Sequence, residues 1–150
     1  MVAFAAGLAA ATLLSMNASP SMRRTAYVLI GNWLACMAAV ALTGSLAPWP
    51  LFIVIDAVAA WVVLQSPSTR PQAVIGCIYI IQFTVHLAYA LVGSGPATGL
   101  YLNMLSGGGW LQIAVLAGGA IYGQGKRRAA LRGMGVAGAH NIAVGPRGVE

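Results

Sequence analysis

Residues 72–92 read QAVIGCIYIIQFTVHLAYALV, an apolar run without a single Asp, Glu, Lys or Arg that stops at Gly93, Ser94, Gly95 and Pro96. Such a run is a membrane-spanning helix candidate, and its neighbours in the chain share its character. Of the 150 residues 59% are hydrophobic and 7% charged, against about a quarter charged in ordinary globular domains. The mean hydropathy is +0.83. These values exclude a water-soluble enzyme, a disordered chain and a disulfide scaffold.

Four further apolar stretches are delimited by polar and helix-breaking residues. The first covers residues 2–18 and ends at Ser19, Pro20 and Ser21. Its positive charge follows the apolar core rather than preceding it, as Arg23 and Arg24, and no clear small-residue cleavage site stands before Pro20. That order predicts a retained helix with its N-terminus outside. Residues 25–47 would span about 34 Å as a helix, enough for a hydrocarbon core of about 30 Å, and Pro48, Trp49 and Pro50 close the run. The stretch at 49–65 is short. From Leu51 it covers only about 22 Å, so it must take in Trp49 and Pro50, thin the bilayer, or be shielded by neighbours. The last, 100–123, carries Gly107, Gly108 and Gly109 in its middle, where three glycines predict a break or kink.

The fold class expected is therefore all-α: a polytopic transmembrane helix bundle of five spans, with residues 1–123 as the membrane domain. Residues 124–150 are expected as a basic, glycine-rich cytoplasmic tail without periodicity. The cations test the count. With the N-terminus outside and the C-terminus inside, Arg23, Arg24, Arg70, the cluster Lys126, Arg127, Arg128 and Arg132, and Arg147 all fall on the inner side. The alternative of four spans divides them. Aromatic residues agree, with Tyr27 and Tyr122 near inner ends and Trp49, Tyr89 and Tyr101 near outer ends. The net charge of +6 thus reads as topogenic, with the lipid bilayer as the partner and no specific nucleic-acid binding expected.

Asp56 is the one acid before the terminal Glu150, and it lies inside a span, where an ionised carboxylate costs about 2.5–3.5 kcal/mol on insertion scales. Counting from the inner loop sets Asp56 and Gln82 at the same depth, about 15 Å, with His86 one turn further on the same face and Asn32 also within the membrane. These four residues make a candidate intramembrane polar cluster. One reading is a proton or cation relay, or the lining of a pore; the other is a clamp that fixes helix packing through interhelical hydrogen bonds.

Small residues four apart, Ala3 with Gly7, Gly7 with Ala11, Gly31 with Ala35, Ala114 with Gly118 and above all Gly119 with Gly123, allow close helix approach, either within one chain or between copies in a homo-oligomer. Cys36 and Cys77 stand at unlike depths and read as small buried residues, not as a disulfide or a zinc site. No nucleotide loop, nucleophile elbow or metalloprotease motif occurs, so neither a catalytic residue nor a cofactor is indicated and an enzyme is not expected.

At Gly31-Asn32-Trp33, Thr43-Gly44, Pro48-Trp49-Pro50-Leu51-Phe52 with Asp56, Gln72-Ala73, and Tyr79-Ile80 with Gln82 and His86, the chain resembles small multi-span membrane proteins of tailed bacteriophages. The resemblance covers roughly residues 25–95 and implies a phage context and a bacterial inner membrane. Three functions are consistent with these features. The first is holin-like permeabilisation for lysis, although holins usually have one to three spans. The second is a proton- or ion-conducting carrier using Asp56 and His86. The third is a membrane anchor or assembly factor whose tail recruits a partner.

Overall fold

Proline and glycine decide where the helices begin and end. The computed structural model describes residues 2–45, 48–65, 69–92 and 97–143, and places in them α1 (Val2–Met16), α2 (Pro20–Thr43), α3 (Trp49–Leu64), α4 (Arg70–Val92) and α5 (Ala97–Ala143). The loop positions 46–47, 66–68 and 93–96, the tail from 144 with Arg147, and the side chain of Arg132 lie outside the described residues. Ser19 caps α2 by accepting a hydrogen bond from the Met22 N–H, and Pro20 occupies the first turn, where its missing donor does no harm. Gly44 ends the helix in the left-handed region at φ 63°, its N–H donating to the Val40 carbonyl. Trp49 and Pro50 form the first turn of α3, giving it 16 residues or about 24 Å of length.

Three helices start earlier than the apolar runs suggest, α5 among them at Ala97. With α2 beginning at Pro20 and α4 at Arg70, the cations Arg23, Arg24 and Arg70 sit in N-terminal turns rather than in loops. The helix dipole disfavours positive charge there, so local helix stability is not the reason for their position.

α5 corrects two expectations. It is continuous through Gly107–Gly109, and it runs past Gln124 to Ala143, 47 residues in all. The glycine run does not break it because the run is a packing surface. A Cβ on Gly109 would come within 2.9 Å of the Phe4 ring, and one on Gly108 within 3.0 Å of the Gln82 amide. Beyond Gln124, the sequence Lys126, Arg127, Arg128, Ala129, Ala130, Leu131 consists of strong helix formers, which outweigh the nearby glycines.

The helices pack as a ring in chain order: α1 on α2, α2 on α3, α3 on α4, α4 on α5, and α5 back on α1, while α2 and α5 barely touch. Successive helices alternate in direction, so α1 and α5 meet in parallel, as the pairs Leu14 with Gln124 and Asn17 with Arg127 show. One end of the ring gathers the described cations. There Arg24 donates to Gln65, Thr69 meets Met22, and Gly119 packs on Pro71 and Met22.

Buried side chains form two apolar clusters with a polar layer between them. The larger, toward the basic end, includes Leu8, Leu29, Val63, Ile75, Tyr79 and Leu116; the smaller, at the other end, holds Ala39, Phe52, Tyr89 and Tyr101. The surface is apolar, with Leu42, Trp61, Leu91 and Ile121 among many exposed large hydrophobics, whereas Asp56, Gln72, Gln82, His86 and Gln112 are buried. Water-soluble bundles show the reverse distribution. α2, α4 and the stretch Ala97–Leu131 of α5 are long and apolar enough to cross a membrane, and α1 and α3 are shorter apolar helices.

Of the small residues expected to pack helices, Gly119 does so within the chain, with Pro71 Cγ 2.7 Å and Met22 Cε 3.0 Å from the place a Cβ would take, and so does Gly7, with the Trp110 ring 3.0 Å from its Cβ position. Gly31 and Gly123 face open space, and Ala35 is half-buried. The tightest approach is instead at Gly76, where Leu64 of the preceding helix fills the room a side chain would need.

Candidate functional site

Asp56 is the eighth of the 16 residues of α3, so it stands at the middle of that helix, 4% exposed. Both carboxylate oxygens have partners. Asn32 Nδ2 from α2 donates to Oδ1 at 2.7 Å, and His86 Nε2 from α4 lies 3.0 Å from Oδ2. The other imidazole nitrogen, Nδ1, is 2.7 Å from the Tyr101 hydroxyl of α5. Tyr101 in turn stacks on Tyr89 at 4.0 Å between centroids, and the Tyr89 hydroxyl meets Thr98 Oγ1 at 2.8 Å.

One assignment of protons uses every group in this chain. Nε2–H donates to the carboxylate, and Nδ1 accepts from the tyrosine O–H. In that assignment the histidine is neutral and the site carries one negative charge. A second proton on the imidazole would make an ion pair with Asp56 and bring the net charge to zero. The chain Asn32–Asp56–His86–Tyr101 can therefore hold or give up one proton without changing its heavy-atom contacts.

The count from the inner loop set Gln82 opposite Asp56, and here the structure corrects it by one turn. His86 is the residue that meets the carboxylate. Helical side chains tilt toward their own N-terminus, so on antiparallel helices Asp56 leans away from the basic end while His86 leans toward it. The pair that meets is thus displaced by about a turn from the pair whose backbones are level. Gln82 lies nearer the basic end and bonds to α5 instead: its Nε2 donates to the Leu105 carbonyl at 3.5 Å, and its Oε1 accepts from Gln112 Nε2 at 3.0 Å.

All four residues of the expected cluster border one cavity of about 620 Å³ that every helix helps to line. Phe4 of α1, Trp33 of α2 and Trp110 of α5 form an aromatic wall, with Phe4 and Trp33 stacked at 6.3 Å and Phe4 and Trp110 edge to face at 5.4 Å. Gly109 lets Phe4 come close enough to α5 to hold this arrangement. Phe52 tilts against the His86 ring at 5.6 Å on the other side.

Two participants were not singled out from the sequence. Tyr101 reads there as an interfacial aromatic, and only the hairpin geometry of α4 and α5 brings it to His86. Gln112 carried a usable signal, being a buried amide in an apolar span, where such groups seek each other.

The remaining candidates are dispersed. At the basic end Lys126 Nζ sits 5.1 Å from the Tyr122 ring centroid, Arg127 Nη1 donates to the Asn17 carbonyl at 3.4 Å, and Arg128 is exposed. Cys36 borders the cavity, Cys77 is exposed, and both are free thiols. Among the described residues no three His, Cys, Asp or Glu side chains are grouped as metal ligands would be. Comparison with protein-family models, curated proteins and solved structures found no match. The chemistry of the cavity is therefore the guide to function.

Proposed function

We propose that the chain is a five-span protein of a bacterial inner membrane, N-terminus outside and C-terminus inside, that carries protons or another cation across the bilayer on Asp56 and His86. The observation that supports this reading is the hydrogen-bonded chain Asn32–Asp56–His86–Tyr101 placed at mid-height against a cavity. A clamp that only fixes helix packing needs its polar groups satisfied but needs no space beside them. Here about 620 Å³ adjoins the one carboxylate among the described residues. An acid in the middle of a span is costly, and its retention beside a cavity suits an ion path. The proposed orientation draws on the gathering of the described cations at one end of the ring, three of which, Arg23, Arg24 and Arg70, sit in N-terminal helix turns where the dipole disfavours them.

The test is flux. In vesicles containing the reconstituted protein, Asp56→Asn should abolish pH-dependent ion movement while leaving insertion intact, because the asparagine oxygen still accepts from Asn32 or His86. Undiminished flux would remove this reading.

Holin-like permeabilisation in a phage context is the second reading. It is favoured by small residues, Gly31, Gly118 and Gly123, where a Cβ would meet no other helix within 4 Å, which leaves room for another copy. Inducible expression should then halt growth abruptly and release a co-expressed muralytic enzyme. Continued growth at high membrane abundance would exclude it.

A further inference from the structure

The carrier reading leaves its cargo open, and the walls of the cavity narrow it. Among the described lining residues there is no Lys or Arg, and Asp56 is the one acid, so the electrostatic preference is for a cation. A bare metal ion fits poorly. Both Asp56 oxygens are already bonded to Asn32 and His86, and among the described residues no second acid and no group of three His, Cys, Asp or Glu side chains adjoins it to hold a divalent ion. Part of the lining is aromatic, with Phe4, Trp33 and Trp110 drawn from three helices and held at 5.4 and 6.3 Å between ring centroids. Aromatic faces attract large, weakly hydrated cations, which give up less hydration on entering than a metal ion does. A volume of about 620 Å³ lies within the usual range for small-molecule sites, about 300–1,000 Å³.

We infer that this cavity binds a lipophilic organic monocation, a substituted ammonium or phosphonium, between the Asp56 carboxylate and the Phe4–Trp33–Trp110 wall, in exchange for one proton. The inference rests on the carrier reading and supplies its cargo. The balance is simple: the His86–Asp56 pair holding two protons fewer than its fully protonated form is anionic, and with one more it is neutral. Entry of one cation releases that one proton to solvent, so the net charge of the occupied site stays at zero. The titratable groups facing Asp56 are Cys36 on α2, His86 and Tyr79 on α4 and Tyr101 on α5; α1 presents none.

The full chain in lipid nanodiscs can be titrated with tetraphenylphosphonium, using triphenylphosphine oxide as the uncharged comparison. The expected result is saturable phosphonium binding with one proton released per cation. Its affinity should weaken as the proton concentration rises, because proton and cation compete for the same site. Asp56→Asn should abolish the proton release. Trp110→Leu, which keeps the apolar bulk, should weaken phosphonium binding about tenfold and leave any uptake of the oxide unchanged. Equal binding of the oxide, or phosphonium binding unaltered by both substitutions, would overturn the inference. Pyranine-loaded vesicles without organic cation separate the two claims. Asp56-dependent proton flux without phosphonium binding would remove the cargo and keep the carrier, whereas saturable, proton-releasing binding without flux in either condition would keep the site and remove the carrier.

Discussion

Two buried tyrosines one helix apart face opposite situations. Tyr101 gives its hydroxyl to His86, whereas the Tyr79 hydroxyl, on a residue 0% exposed, has no hydrogen-bond partner among the described residues. An unmade buried hydrogen bond costs about 1–3 kcal/mol, so removing the oxygen relieves a penalty rather than losing a contact. Tyr79→Phe should therefore leave the thermal midpoint in detergent unchanged or raise it. Tyr101→Phe should lower it, by about 1 kcal/mol equivalent, because Nδ1 of His86 is then left without its partner. A Tyr79→Phe protein less stable than the parent would show that this hydroxyl has a partner, such as a bound water. At this scale the sequence is informative about which residues matter and less so about who meets whom. Asp56, Gln82, His86 and Asn32 stand out as polar groups in apolar spans. The exchange of Gln82 for His86 as the neighbour of Asp56 depends on side-chain tilt, which residue counting ignores.

Among the helices, α5 is the one whose reading changes most. Three glycines in succession look like a break because propensity is all that a single chain displays, while their neighbours on α1 and α4 are invisible until the ring is assembled. The three are also unequal, which makes their roles separable. Nothing lies within 4 Å of the Cβ position of Gly107, so Gly107→Ala should stabilise the protein by up to about 1 kcal/mol through helix propensity. Gly109→Ala should do the opposite, since the new methyl meets the Phe4 ring at 2.9 Å and Phe4 is itself held between Trp33 and Trp110. Thermal melts of both variants in the same detergent check the sign. Matching gains from the two would mean that Phe4 moves aside freely. The end of α4 was legible because the Gly93–Pro96 segment closes its apolar run, whereas α2 stops at Thr43, four residues before the expected end at 47, because Gly44 caps it ahead of Pro48. Their starts were not, because Arg23, Arg24 and Arg70 look like loop residues and yet are helical.

For the whole molecule, the testable quantity is which side each end of the ring faces. With Cys36 and Cys77 replaced by alanine, a cysteine at position 70 should resist a membrane-impermeant maleimide added to intact spheroplasts and react after lysis, whereas one at position 45 should react at once. The reverse pattern would invert the proposed orientation, and labelling of both from outside would reject the odd number of crossings. The expectation of an all-helical bundle followed from composition and from the apolar runs alone. Ring closure and the cavity did not, because both arise from contacts between helices far apart in the chain. The extension of α5 beyond Gln124 was hidden by its glycines, which draw attention away from the alanines, arginines and leucine among them.

The parallel meeting of α1 and α5 sets that seam apart from the others. Each of the remaining four neighbouring pairs is stitched by the turn that joins one helix to the next, so those helices cannot separate far. α1 and α5 have no such turn between them and are held side by side by packing alone, with Gly7 and Phe4 against Trp110 and Gly109, and by the bonds that Gln124 and Arg127 make to Leu14 and Asn17. If the barrel of helices ever parts sideways to admit a molecule dissolved among the lipid tails, this unstitched side is where it can do so without straining any turn.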